Sequence, residues 1–115
     1  MMSLQHEDEY KSGIQELHHI MPHVVDRYNE FTGACFEERA VSKGNKELIA
    51  LGISLSHRDE NCVRYHVTEA LHKGVSAEEI WETVNVAMAM SGGMIVSQCV
   101  HWVSESLSQG TTTPQ

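Results

Sequence analysis

The sequence predicts an all-α fold, a single-domain bundle of about six helices, and three observations carry that prediction. Apolar residues recur at helical three-and-four spacing through nearly every segment. No alternating run long enough for a strand lies between turn signals. Capping and stop residues, chiefly Asp59, Gly74 and Ser76, cut the 115 residues into pieces of helical length. A chain of that size makes one domain, 1–115 with its core at about 17–107, small enough to lean on partner subunits to bury its apolar faces.

The first helix is expected over Glu7 to Ile20, with Tyr10, Ile14, Leu17 and Met21 on one stripe. Pro22 breaks it and suits the first turn of a second helix running to about Glu38. There Val24, Val25, Tyr28, Phe31, Ala34 and Cys35 fall on a buried face, so Cys35 is expected in the core rather than in redox chemistry. Ser42-Lys43-Gly44-Asn45 is a polar joint with an N-cap at Ser42. The third helix, Lys46 to Leu55, is apolar on most sides and belongs in the middle of the bundle.

The fourth helix runs from Asp59 to His72 and stops at Lys73-Gly74. Ser76-Ala77-Glu78-Glu79 is a capping box opening the fifth, which turns Ile80, Val84, Ala87 and Met88 inward and ends near Met90-Ser91-Gly92-Gly93. The sixth, Met94 to Leu107, places Val96, Cys99, Val100 and Val103 against the core, and 108–115 reads as a frayed tail. Met88, Met90 and Met94 read as gap-filling core.

Eight basic against sixteen acidic side chains give a net charge of -8, which argues against nucleic acid and against an anionic membrane surface. The longest apolar stretches are far too short to span a membrane, and the first residues lack the basic and apolar regions of a signal peptide. A soluble, cytoplasmic protein is expected. Three cysteines in separate segments, Cys35, Cys62 and Cys99, do not make a disulfide framework and fit a reducing compartment. His18, His19 and His23 invite a metal reading, but no carboxylate or cysteine completes a ligand spacing with them, so neither metal nor cofactor is expected.

The chemistry-bearing pair is Cys62 and His66, four residues apart and therefore on one helix face, where the imidazole can hold or remove the thiol proton. With Asp59 as N-cap, Cys62 falls in the first turn, where unpaired N–H groups and the dipole should lower its pKa. Plain packing stands against this: free cysteine is among the most buried residues, and histidine on an apolar face is commonly core. Glu47 begins the apolar run of the third helix. It is either a solvated first-turn glutamate favoured by the dipole, or a carboxylate at or inside the core that needs a proton or a partner.

Taken together, Lys46-Glu47-Leu48-Ile49-Ala50-Leu51, Cys62-Val63-Arg64-Tyr65-His66 and Gly74-Val75-Ser76-Ala77-Glu78-Glu79-Ile80 resemble the carboxymuconolactone decarboxylase and alkylhydroperoxidase D-like family, over about Leu17 to Leu107. In the peroxidase branch of that family a glutamate precedes a C-x-x-C-x-x-x-H motif. Glu47, position 59, Cys62 and His66 match those offsets, with Asp59 where the first cysteine would stand. The resemblance implies an all-helical subunit assembled as a trimer or hexamer, with sites near subunit contacts. It also implies Cys62 as nucleophile with a Glu47/His66 proton relay, acting on a peroxide or a disulfide through a sulfenic acid or a mixed disulfide.

Asp59 removes the intramotif disulfide, so a sulfenic acid on Cys62 would need Cys35, Cys99, a small thiol or a redox protein as resolving partner. Asp59 also places a negative charge near the sulfur, opposing the thiolate. A thiol-dependent peroxidase or disulfide reductase is the first functional expectation. A decarboxylase-like acid–base enzyme, in which His66 and Glu47 move protons on a small carboxylated substrate with Arg58 and Arg64 as available cations, is the alternative. A non-catalytic oligomeric subunit with a vestigial site is the third.

Overall fold

The computed structural model describes the backbone of residues 2–112 and the side chains of residues 9–109. Six helices follow one another in it: α1 (Met2–Ile20), α2 (Pro22–Cys35), α3 (Lys43–His57), α4 (Glu60–His72), α5 (Ala77–Ser91) and α6 (Met94–Thr112). No strand occurs among the described residues, and none of the helices they form is long and apolar enough to cross a membrane.

The core lies between α3, α4, α5 and α6. Leu51 and Leu55 meet Val63, Val67 and Ala70, then Ile80, Val84 and Ala87, then Ile95, Cys99, Val103 and Leu107. On each helix these residues recur every three or four positions, so each contributes one continuous apolar stripe. Each fully buried Leu or Val is worth about 1.5–3 kcal/mol of hydrophobic transfer. Leu48, Leu71, Val75, Trp81, Met88 and Trp102 pack around the margin.

The caps fall where the local sequence requires them. Ser42 accepts from Asn45 N–H, Asp59 accepts from Cys62 N–H, and Ser76 with Glu79 forms a reciprocal capping box. Arg58 takes the left-handed conformation (φ 54°) and reverses the chain between α3 and α4 within two residues. That reversal lays α3 and α4 side by side, the most extensive helix pairing among the described residues. Gly74 (φ 85°) performs the equivalent turn after α4. Gly44 has a second role: a Cβ there would come within 2.9 Å of Val75 Cγ2, so its bare backbone lets the start of α3 lie against the end of α4.

Several expectations are corrected. Helix α3 follows directly on its Ser42 cap and runs past Leu55 to His57, α2 ends at Cys35 rather than Glu38, and α6 continues to Thr112 through the stretch read as frayed. Residues 113–115 of that tail lie outside the described residues. Cys35 is exposed, because α2 packs only on α1 among the described residues and its apolar stripe faces outward. Val24, Tyr28 and Phe31 are each more than half exposed for the same reason, and only Val25 of that helix is buried. On α1, Tyr10, Leu17 and the adjoining Met21 are likewise exposed. In α6 the buried phase runs through Ile95 and Cys99 instead of Val96, and Met90 and Met94 are exposed instead of filling gaps.

Candidate active site

With Ser42 as N-cap and Lys43 as the first helical residue, Glu47 sits in the second turn of α3, where its side chain is buried. Its side chain is only 5% exposed. A carboxylate so buried needs a partner, and the antiparallel α3/α4 packing supplies His66: Nδ1 lies 2.7 Å from Glu47 Oε1. A carboxylate can only accept, so this contact assigns the proton to Nδ1 and leaves Nε2 as the free ring nitrogen. The other carboxylate oxygen, Oε2, faces Lys73 Nζ at 3.7 Å. Of the two readings open for Glu47, the buried and partnered one holds.

Two aromatic rings frame the imidazole. Phe36 stacks on it with ring centroids 5.9 Å apart and planes 6° from parallel, and Tyr65 meets it edge-on at 5.1 Å. Phe36 belongs to the connection after α2, and Lys46 pins that connection by donating from Nζ to the carbonyls of Cys35 (2.8 Å) and Glu37 (2.7 Å). These contacts hold the His66 ring from several sides, leaving Nε2 as the atom able to exchange a proton.

Cys62 is partly buried one turn before His66, yet its electrostatic partner is Asp59. Burial, then the hydrogen bond and negative charge of Asp59, push the thiol up from 9.0 to about 11. The lowering expected at a helix start is reversed, because the thiol is desolvated and because Asp59, which caps the Cys62 N–H, sets a negative charge beside the sulfur. Tyr10 of α1 completes this side of the site. Its hydroxyl is raised by burial first, then by the charges of Tyr28, Cys62 and Asp59. Tyr65 is raised likewise by burial and by Glu69 and Glu47.

The cations expected near the motif are committed elsewhere. Arg64 is buried between α4 and α6, with Nη2 at 2.9 Å from Glu60 and 2.8 Å from Glu105. Arg58 lies at the end of α3, where its charge acts on Cys99. Of the described histidines of α1 and α2, His18 pairs with Asp26 at 3.0 Å, and no group of three candidate metal ligands occurs among the described residues. Two shallow clefts, of 320 Å³ between α1 and α2 and 410 Å³ between the α3 start and the α4/α5 joint, include neither Cys62 nor His66, although Lys73 lines the second.

The structure therefore brings Glu47 and His66 together and pairs Cys62 with Asp59. Sequence reasoning missed Lys73, Phe36 and Tyr10. Lys73 had a usable signal, since His66, Glu69 and Lys73 recur at helical spacing on one face. Phe36 and Tyr10 had none, because their positions depend on how distant segments pack.

The sequence profile of the carboxymuconolactone decarboxylase family matches residues 22–105. Two solved structures share the fold. One is a protein of that family from Legionella pneumophila in its apo form, at TM-score 0.82 and 20% identity, covering 96% of this chain and 95% of that one. The other, from Thermotoga maritima, is a family protein for which a part in the antioxidative response has been suggested, at TM-score 0.76 and 22% identity, covering 91% and 92%. No curated protein matches the sequence.

Proposed function

Because the chain belongs to the carboxymuconolactone decarboxylase family, we propose that it is an acid–base enzyme in which the Glu47/His66 pair moves a proton on a small molecule. The observation that carries this reading is the buried 2.7 Å contact between His66 Nδ1 and Glu47 Oε1. It orients the ring, fixes the tautomer and answers the charge that develops when Nε2 takes a proton. Nε2 abstracts a proton from a carbon next to a carbonyl, and the resulting imidazolium returns it to another atom of the same molecule. No cofactor is needed for such a step. Cys62 serves in its protonated form, as a wall and hydrogen-bond donor.

The substrate class follows from charge. Asp59 stands beside the thiol, Tyr10, Tyr65 and Phe36 supply aromatic surface, and Arg58 and Arg64 are turned away. An uncharged molecule with a flat apolar face fits these surroundings better than a carboxylated one.

A thiol peroxidase is the second reading, favoured by the part-exposed sulfur of Cys62 one turn from His66 and by the antioxidative role suggested for the Thermotoga maritima protein. In that case the sulfur attacks the peroxide, the O–O bond breaks, an alcohol leaves and Cys62 becomes a sulfenic acid. A small thiol or redox protein reduces it, or Cys35, which is exposed and adjacent to the Phe36 ring stacked on His66. Under both readings the protein works as a homo-oligomer, a trimer or hexamer, and the exposed Val24, Tyr28 and Phe31 of α2 support that assembly.

Deuterium incorporation into a panel of small neutral carbonyl compounds in heavy water separates the two. The acid–base reading expects exchange that His66→Ala and Glu47→Gln abolish and Cys62→Ser retains. Loss of turnover in Cys62→Ser, with sulfenic acid trapped on the wild type after peroxide, would replace it with the peroxidase.

A further inference from the structure

Glu47 has two carboxylate oxygens, and His66 occupies only Oε1. Oε2 lies 3.7 Å from Lys73 Nζ, an ion-pair distance longer than a hydrogen bond. Lys73 is itself anchored: its Nζ donates to Glu69 Oε1 at 2.8 Å. It also caps the end of α4, where a positive charge complements the helix dipole. The two ends of the Glu47 carboxylate therefore face different groups, an imidazole on one side and an ammonium on the other.

From this geometry we infer that Lys73 is a positioning residue of the site, whose ammonium holds Glu47 as a carboxylate and keeps His66 a neutral imidazole with Nε2 open to accept a proton. The role rests on the proton-transfer function proposed for the pair. A lone buried carboxylate beside an imidazole draws a proton onto the ring and leaves an imidazolium, which is no base. A fixed positive charge on the far oxygen offsets that pull, and it also screens the carboxylate from protonation.

Three features suit Lys73 to this task. Its side chain is 26% exposed, against 5% for Glu47, so it keeps enough solvent contact to remain charged. The Glu69 hydrogen bond, the largest influence on it, raises its pKa, with burial acting in the opposite direction. It also lines the 410 Å³ cleft at the start of α3, whose lining does not include His66, so the ammonium has its own contact with solvent. Gly44 and Val75 keep the α3 start and the α4 end in register, fixing the Glu47 to Lys73 approach.

The charged and titratable groups around the pair are Lys73, Glu69 and Tyr65 of α4, Asp59 and Cys62 at the start of α4, Tyr10 of α1, and Lys46 of α3, whose ammonium is tied to the carbonyls of Cys35 and Glu37. Of the two cations, Lys73 is the one at ion-pair distance from Glu47. Removing it takes away the one ammonium that pairs with Glu47 among the described residues.

The test is the titration of the His66 ring in the full-length protein labelled with nitrogen-15 histidine, its resonance identified by its loss in His66→Gln. Lys73→Met is expected to move the curve to higher pH by roughly one unit, and Lys73→Arg, which keeps the charge, to restore it. Glu69→Gln removes a negative charge near the ammonium and is expected to move the curve to lower pH. A purely structural role would displace neither curve. A Lys73→Met curve coincident with the wild type, or a Lys73→Arg curve displaced as far as Lys73→Met, would overturn the assignment. Retention of proton transfer by His66→Ala would dismiss the proposed function while leaving these curves intact, so the two failures are distinguishable.

Discussion

Replacing Asp59 with asparagine should make Cys62 more reactive, not less. The thiol stands near 11 instead of 9.0, so at pH 7–8 it carries about a hundredfold less thiolate than an ordinary cysteine. Burial is the largest cause and is unaffected by the change, while the Asp59 hydrogen bond and charge account for the rest. Asparagine still accepts the Cys62 N–H as an N-cap, so α4 should keep its start. Removing the charge alone should return about one of the two pH units, which is about a tenfold faster alkylation at fixed pH. The assay is the rate of iodoacetamide addition to Cys62 between pH 7 and 11, followed by peptide mass in a Cys35→Ser background, because Cys35 is exposed and would compete. Wild-type Cys62 alkylating with a midpoint at or below pH 9, or Asp59→Asn reacting no faster than wild type, would refute the reasoning. The first of these results would also strengthen the peroxidase reading.

Thermal stability should fall steadily above about pH 9. Tyr10, Cys62, Tyr65, Lys73 and Cys99 are all raised in the folded protein. The unfolded chain therefore loses these protons first, and the stability they contribute is complete at lower pH and disappears as pH rises through the folded-state values. Calorimetry from pH 7 to 11 measures it; Cys62→Ser should flatten the decline, and a Tm unchanged to pH 10.5 would contradict it. Ser76→Ala, which removes half of a reciprocal capping box, should cost about 1 kcal/mol in urea unfolding at pH 7. Leu55→Ala, at a fully buried core position, should cost about 2–5 kcal/mol in the same measurement, and a loss below 1 kcal/mol would mean that α3 is not central to the core.

The order of helices and their caps were legible because those signals are local. Ser42, Asp59 and Ser76 act on N–H groups two or three residues away, and Gly74 acts on its own dihedral angles, so neighbours in the chain suffice to define them. The stripe of α5 was legible because Ile80, Val84 and Ala87 recur at helical spacing on one face. The stripes of α1 and α2 misled: periodicity says that a face is apolar, not that something within the same chain covers it. In α6, apolar residues at Ile95, Val96, Cys99 and Val100 allow two phases, and packing against α4 selects the one through Ile95.

By itself the sequence determined an all-α chain, the boundaries that caps and glycines enforce, and the chemical types at Glu47, Cys62 and His66. Tertiary structure alone decided how those types pair. Glu47 became a buried partner of His66 because a tight reversal at Arg58 lays α3 against α4. The thiol was tied to the nearer acid, Asp59, because a capping carboxylate must sit over the first turn, where Cys62 also lies. Burial and through-space charge set a proton's affinity, and both depend on segments that meet only when the chain has folded.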